Sequence, residues 1–352
     1  MEKRKSVVRF DNQKIWRIVV NGKVSIIIIG RNEERGIEKC IREALRAAEQ
    51  ISGAETIFVD SASTDNTVAA VRALGVRVVS LKPDWELSPS AGRYIGSRVA
   101  SGEFVLFLDA DTLIYQDFLP AAIEHFEKNP SVAGINGWLD DTDENGVLLT
   151  DVEKQSDTVE DVKWLRGPCC FYRHSALGEV GSFNPFLKVE EEAELGLRLV
   201  KKGWRLQIIP LSMACHTRCY HGQTVESVIS AFKRDIVSRR LGEITNTIAH
   251  AFREGNGLVF CWLRFKTTII FLGWLVILTW SLFLPASSYP RAMFAGLFIL
   301  GLTVIIGKKR SLTQARAFIL SKIINLIDVL TGVPKIKIRN SDLYPLDVIN
   351  RN

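Results

Sequence analysis

The chain is 352 residues long, 47% hydrophobic and 24% charged, with 45 Lys and Arg against 39 Asp and Glu for a net charge of +6. That balance excludes a disordered chain and leaves room for one large domain with something smaller attached. The six cysteines are expected as free thiols, because Met1-Glu-Lys-Arg-Lys-Ser6 leads into no apolar h-region. Lys14, Arg17 and Lys23 interrupt the next stretch, so no secretory signal is read.

In chain order, Asn21-Gly22 between apolar runs predicts a hairpin from a short strand near Ile15–Val20 into a core strand, Val24–Ile29. Gly30-Arg31-Asn32-Glu33-Glu34 ends that strand and opens a helix whose first turns hold Glu33, Glu34 and Glu38. A strand at Thr56–Val59 runs into Asp60, and Ser61–Thr67 offers several N-caps for a helix over Val68–Leu74. A strand at Val76–Ser80 and a helix at Ser88–Ala100 follow. Strand and helix thus alternate up to Phe104-Val-Leu-Phe-Leu-Asp109-Ala-Asp111, where five apolar residues run unbroken into two acids. An unbroken apolar run reads as a strand covered on both faces, and its carboxyl end is where open α/β sheets place ligands. Asp109 and Asp111 sit there as candidate ligands of a hard divalent cation, magnesium or manganese, beside a diphosphate. No Gly-x-Gly-x-x-Gly and no Walker phosphate loop follows the first strand, so a nucleotide would be held by acids, a metal and scattered basic groups.

The stretches Val24–Glu34, Phe58–Thr67, Gly92-Arg93-Tyr94-Ile95-Gly96 and Leu108–Asp111 together resemble family 2 glycosyltransferases, in order and spacing, over roughly the first two thirds of the chain. The resemblance implies an α/β fold of the GT-A type, a mainly parallel sheet wound with helices. It also implies an inverting enzyme using a nucleotide-diphosphate sugar. Asn32 or Glu33 and Asp60 would meet the nucleoside, Arg93 would lie near the diphosphate, and Asp111 would bind the metal. Tyr94 departs from the family, where many members have Asn after the Arg. Asp60 and Arg93 also have plain readings as a helix cap and a structural cation.

Further on, Ala133–Trp138 reads as a strand, Asp140–Gly146 as a solvated acidic loop lacking the ligand spacing of a calcium site, and Leu165–Arg173 as a strand entering the acceptor side of the cleft, with packing cysteines at 169 and 170. Glu190-Glu191-Glu192-Ala-Glu194-Leu195 starts a helix, and clustered acids favour a helix N-terminus in any protein. The resemblance instead makes Glu191 and Glu192 the acidic pair whose second member is the catalytic base, with Glu192 standing where Asp is usual. Cys215-His216 and Cys219 to His221 do not match a common zinc spacing. By the resemblance, His216 completes the metal site. From Val225 to Ile248 apolar residues recur at helical spacing, predicting one amphipathic helix with a basic face that includes Lys233, Arg234, Arg239 and Arg240. The resemblance allows Arg239 and Arg240 a place against the donor diphosphate.

Two uncharged stretches follow, Thr267–Leu284 and Ala292–Gly307, flanked by Arg264, Lys266 and Lys308-Lys309-Arg310, which predict a transmembrane hairpin with both ends cytoplasmic. Leu312–Leu330, with polar residues on another face, is expected to lie at the interface. The expected organisation is an N-terminal arm (1–22), a GT-A domain (23–222), amphipathic juxtamembrane helices (223–263), a transmembrane hairpin (264–310; spans 267–284 and 290–307), and an interfacial helix with a basic cytoplasmic tail (311–352). The expected partners are a nucleotide-diphosphate sugar, a lipid-linked or glycan acceptor and a membrane, with no nucleic acid and with room for a homo-oligomer. A synthase extending a secreted polysaccharide is the near alternative, and a nucleotidyltransferase or a membrane scaffold the distant ones.

Overall fold

The computed structural model describes residues 24–142, 156–217, 225–238, 240–281, 283 and 312–348. The strand expected near Ile15–Val20, the span expected at 290–307 and Arg239 lie outside the described residues. The first half is the expected alternation: β1 (Val24–Gly30), α1 (Ile37–Glu49), β2 (Glu55–Asp60), α2 (Thr67–Ala73), β3 (Arg77–Ser80), α3 (Pro89–Val99) and β4 (Phe104–Asp109). These strands pair in parallel in the order β3-β2-β1-β4. Gly30 is level with Asp60, Asp60 with Ser80, and Ile29 with Asp109, so the carboxyl ends finish along one line. The unbroken apolar run of β1 has a direct cause. Ile26 and Ile28 pack with Ile37, Cys40 and Ile41 of α1, while Ile27 and Ile29 pack with Ala91, Tyr94 and Ile95 of α3. Both faces of the strand are covered, so no position favours a polar side chain.

β5 (Thr112–Ile114), α4 (Phe118–Lys128), β6 (Val132–Thr142), β7 (Glu160–Val162), β8 (Cys169–Arg173), α5 (His174–Glu179), α6 (Glu191–Lys201) and β9 (Arg205–Thr217) complete the domain. They extend the sheet as β4-β8-β6-β9-β5, with β7 added on β9. Here the pairing is mixed: β8 is antiparallel to β4 and β6, β5 and β7 are antiparallel to β9, and only β6 and β9 run parallel. The strand expected from Leu165 begins only at Cys169, because Arg166-Gly167-Pro168 forms a loop over α6. Asp140 and Asp141, read as part of a loop, belong to β6. Glu33 and Glu34 precede α1 in a turn closed by the Gly36 and Ile37 amides on the Glu33 carbonyl; only Glu38 lies in the first turn.

The single amphipathic helix expected from Val225 is two helices, α7 (Val225–Val237) and α8 (Ile244–Arg253). The break falls at Gly242, whose φ of +89° suits glycine and whose missing Cβ lets the backbone of Gly332 approach to 2.9 Å from where that atom would stand. α9 (Gly257–Ser281) and α10 (Leu312–Gly332) are both long and apolar enough, by length and composition, to cross a membrane, and most of each apolar window is not buried in the protein. Among the described residues the apolar window of α9 is Gly257–Val276; the helix begins ten residues before the uncharged stretch expected from Thr267 and includes Arg264 and Lys266. α10, expected to lie at the interface, passes the same test of length and composition. Its polar residues find partners: the Asp328 carboxylate accepts from the Gly242 amide, and the Asn325 amide donates to Thr268 at 3.4 Å. Cys40, Cys169, Cys170, Cys215 and Cys261 are free thiols, and the vicinal pair is buried in packing.

Candidate active site

Two sequence stretches that read separately, Asn32–Glu34 and Ser63–Thr67, form one lock at the ends of β1 and β2. Asn32 sits at φ +58°, its side-chain oxygen accepts from the Thr64 amide at 2.8 Å, and its own amide donates to Ser63 Oγ at 2.9 Å. The Glu33 amide donates to Thr67 Oγ1 at 2.7 Å, and the Glu34 amide to Asp65. Asp60 is 2% exposed and accepts from the Ser63 amide, shaping the same loop. Asn32 Oδ1 and Asp60 Oδ1 thus accept from this loop, and Glu33 lines the cleft at the strand ends. Burial, then Asp111, Asp65 and Asp109, push the Glu33 carboxyl up.

Arg93 is the hub. Gly92 and Gly96 lie on the side of α3 that meets β1: a Cβ on Gly96 would stand 2.3 Å from Ile27 Cγ2, and one on Gly92 3.1 Å from Ile29 Cγ2. The glycines let α3 press onto the strand and carry Arg93 beneath the site, where its side chain is 2% exposed. Nη1 donates to Glu191 Oε1 at 2.8 Å and Glu192 Oε1 at 2.9 Å; Nη2 donates to Asp109 Oδ1 at 2.8 Å and the Gly167 carbonyl at 3.0 Å. Burial opposes the guanidinium charge, but Asp109, Glu192 and Glu191 hold it cationic. This arginine braces the acids and does not reach into the cleft. Burial, then the Glu192 charge, push the Glu191 carboxyl well above the usual carboxylate range despite Arg93. Burial likewise raises Asp109 to about 6, with Asp111 and Glu192 adding to it against Arg93.

Gly167 is a glycine for a steric reason. A Cβ there would stand 2.0 Å from Glu192 Oε1 and 3.3 Å from Arg93 Nη2. Gly196 on α6 similarly leaves space for Lys163 and Trp164. The segment from Lys163 to Pro168 therefore lies across the acidic end of α6, and the Pro168 carbonyl accepts from the Asp109 amide at 2.9 Å.

Asp111 and His216 meet across the β5–β9 pairing, with His216 Nε2 3.4 Å from Asp111 Oδ2. His216 Nδ1 lies 3.2 Å from Asp141 Oδ1, the arrangement in which a carboxylate fixes the tautomer and orientation of a ligating imidazole. Burial would raise Asp111, but the hydrogen bond and charge of His216 keep its carboxyl below the usual value. Adjacent ligands of a hexacoordinate magnesium or manganese ion stand about 3 Å apart, so this pair fits such an ion. Among the described residues no group of three or more His, Cys, Asp and Glu is gathered around one point. Two protein ligands, with substrate phosphate and water for the rest, suit these ions. Asp109 instead spends Oδ1 on Arg93.

Two clefts flank these residues. The first, about 510 Å³, is lined by Gly30, Glu33, Ser61, Asp109 and Asp111 on the sheet side and by Leu87, Ser88, Pro89, Lys188, Ser238 and Arg240 opposite. The second, about 520 Å³, is lined by Asp141, Trp164, Arg166, Gly167, Glu190, Glu192 and Arg264. Glu192 faces this second cleft and Glu191 does not. Arg240 of the expected basic pair thus lines the first cleft. Arg166 and Gly167 belong to the stretch read as entering the acceptor side, and they line the second cleft, though as a loop. Asp141 and Trp164 escaped the sequence reading, Asp141 within an acid-rich run, and Arg264 was read only as a charge flanking an apolar stretch.

A family model described as "Glycosyl transferase family 2" matches residues 25–181, and one described as "Glycosyl transferase family group 2" matches 104–300, more than half of the chain. The poly-beta-1,6-N-acetyl-D-glucosamine synthase of Staphylococcus aureus (strain COL) is 23% identical over 203 residues, covering 54% of this chain and 48% of the relative. The chain thus matches about half the length of that relative. An uncharacterized glycosyltransferase of Nostoc sp. (strain PCC 7120) is 30% identical over 136 residues, 38% of this chain and 41% of its own. Among solved structures, the mannosyltransferase PcManGT from Pyrobaculum calidifontis, in complex with GDP-Man and Mn2+, superposes with a TM-score of 0.60 over 90% of this chain and 88% of that one at 16% identity.

Proposed function

The chain belongs to the family 2 glycosyltransferases and has their GT-A fold, and from that premise we propose that it transfers a sugar, with inversion, from a nucleoside-diphosphate sugar in the first cleft to a membrane-lipid-linked acceptor in the second. The observation that carries this reading is the row of acids between the clefts: Arg93 ties Asp109, on the wall of the first, to Glu192, on the wall of the second. A donor on one side and an acceptor on the other would meet over that row.

Asp111 and His216 would hold a divalent cation, oriented through Asp141, and Arg240 and Lys188 line the same cleft on the opposite wall. When bound, the cation supplies charge neutralisation for the diphosphate leaving group. Glu192 takes the proton from the attacking acceptor hydroxyl as that oxygen bonds the anomeric carbon and the bond to the diphosphate oxygen breaks. Glu191, more deeply buried and raised, shares Arg93 with Glu192 and positions it. The acceptor class is supported by Arg166 and Arg264 in the second cleft, and by the place of Arg264 on α9, whose apolar stretch exposes Leu258, Val259 and Trp262. An anionic headgroup meets those guanidinium groups while its hydrocarbon stays with the helix. α9 and α10 then keep the domain at the membrane, with the catalytic clefts on the cytoplasmic side, where nucleotide sugars are found.

The test is a screen of the full-length protein in lipid nanodiscs against labelled sugar nucleotides with Mn2+, with polyprenyl phosphate or a glycolipid supplied. Nucleoside diphosphate release with label passing into the lipid extract is expected. A water-soluble polymer would favour the polysaccharide synthase suggested by the relative's name. No diphosphate release with any donor overturns the reading.

A further inference from the structure

The chain after α10 does not trail away as a basic tail. Arg339 pairs with the Glu86 carboxylate, and its guanidinium lies 4.9 Å from the centroid of the Phe186 ring. Tyr344 is 2% exposed, sits edge-on to Trp85, Phe186 and Tyr94 at centroid distances of 5.5, 5.6 and 6.0 Å, and donates its hydroxyl to the Glu86 carbonyl at 2.7 Å. Asp347 pairs with Lys82. These contacts converge on one short loop, 82–88, from the far end of the sequence: 258 residues separate Tyr344 from Glu86.

That loop does two things for the first cleft. Its Leu87 and Ser88, with Pro89 at the start of α3, form part of the cleft wall. Ser88 also caps α3, its Oγ accepting from the Ala91 amide at 2.9 Å and donating to the Pro185 carbonyl at 2.9 Å. α3 carries Arg93. Glu86 itself takes Arg339 on its carboxylate, with Lys188, a lining residue of the same cleft, 3.4 Å away. Without the C-terminal contacts, the Glu86 carbonyl would lose the Tyr344 hydroxyl, its carboxylate would keep Lys188 but lose Arg339, and Trp85 would lose the Tyr344 ring.

We propose that residues 339–347 are a positioning strap for the donor cleft, and that Arg339 and Tyr344 act through Glu86 to hold the wall against which the nucleoside diphosphate binds. The strap makes donor binding depend on a segment that follows the apolar helices, so the donor cleft is complete only when the chain has returned from α10 to its catalytic domain. This inference rests on reading the first cleft as the donor site.

Binding and turnover separate the strap from a mere staple. Nucleoside diphosphates (UDP and GDP, each with Mn2+) are titrated into full-length wild type, Arg339→Ala and Tyr344→Phe, the last losing only the hydroxyl. Removing one such bond is expected to weaken diphosphate binding about fivefold. The donor KM should rise by the same factor with kcat little changed, and amide exchange over 82–88 should quicken. If both variants bind as wild type does, the strap is excluded, whether or not their melting temperatures fall. If wild type binds neither diphosphate, the donor reading of the cleft fails first, and exchange over 82–88 still reports whether the strap holds the loop.

Discussion

Two carboxylates at the start of α6 share one guanidinium nitrogen, yet they face different ways. Glu192 borders the second cleft and Glu191 is packed away from it. Glu192→Gln keeps the size and an oxygen to accept from Arg93 but loses the basicity, so with a hydroxyl acceptor turnover should fall about 10²–10⁴-fold with donor binding unchanged. Glu191→Gln should affect turnover less. Single-turnover transfer measured beside diphosphate titration distinguishes the two, and normal turnover in both variants would favour an acceptor that is already an ionised phosphate. Gly167→Ala should imitate the loss at Glu192 without touching its chemistry, because the added methyl would overlap Glu192 Oε1. On the metal side, Asp111→Asn should abolish cation-dependent transfer. Asp141→Asn should weaken manganese binding about 10–100-fold, as the loss of an orienting partner typically does, which Mn2+ titration followed by electron paramagnetic resonance would measure. The acids at the ends of β2 and β4 are legible in sequence because a buried apolar run that stops at a carboxylate is unusual in itself. Asp141 is not, because it reaches His216 across 75 residues through strand pairing that no local spacing records.

At the scale of elements, the parallel half of the sheet is legible because each strand has its own helix and each helix its cap or glycine. The mixed half is less so: β7 and β8 are short, and what fixes them is pairing with β9 and β4, far along the chain. The split of the helix after Val225 was also hidden, since apolar spacing runs on through a Gly whose role is the approach of α10. One contact between elements sets a stability prediction. Glu194 on α6, 1% exposed, receives Arg198 through Nε and Nη2, both at 2.7 Å, and His250 of α8 at 3.1 Å. Burial opposes its charge, but Arg198 and then His250 hold the carboxyl down to about 2, from an ordinary 4.5. A folded-state value below the unfolded one means that this contribution is full above about 4.5 and fades as pH falls through about 2. Glu194→Gln should therefore cost about 3–5 kcal/mol at neutral pH by leaving Arg198 buried without its anion. Urea unfolding of the variant should also show a shallower loss of stability below pH 4.5 than wild type. Equal acid slopes would assign the acid sensitivity elsewhere.

For the whole molecule, the apolar helices and the catalytic domain share a core. Phe260, with Leu263 and Phe265 of α9 and Val329 of α10, packs on Ala193 and Leu197 of α6, the helix that begins with Glu191 and Glu192. Arg264 pairs with Glu190, which stands in the left-handed region at φ +58° just before α6. A non-glycine residue held there carries local strain, and Arg264 is a partner that holds it. Full-length protein is expected to stay with membranes through high-salt and alkaline carbonate washes, since α9 and α10 expose apolar length that charge screening does not release. A chain ending at Gly257 should move to the soluble fraction, but not as an intact enzyme. It would lose the packing over α6, the partner of Glu190, one wall of the second cleft and the strap on loop 82–88. Its melting temperature and its affinity for nucleoside diphosphate should both fall, and transfer to a lipid acceptor should be lost. Release of the full-length protein by carbonate would remove the spanning reading of α9 and α10. A truncated chain that kept wild-type diphosphate affinity and stability would instead show that the helices tether the domain without helping to build it.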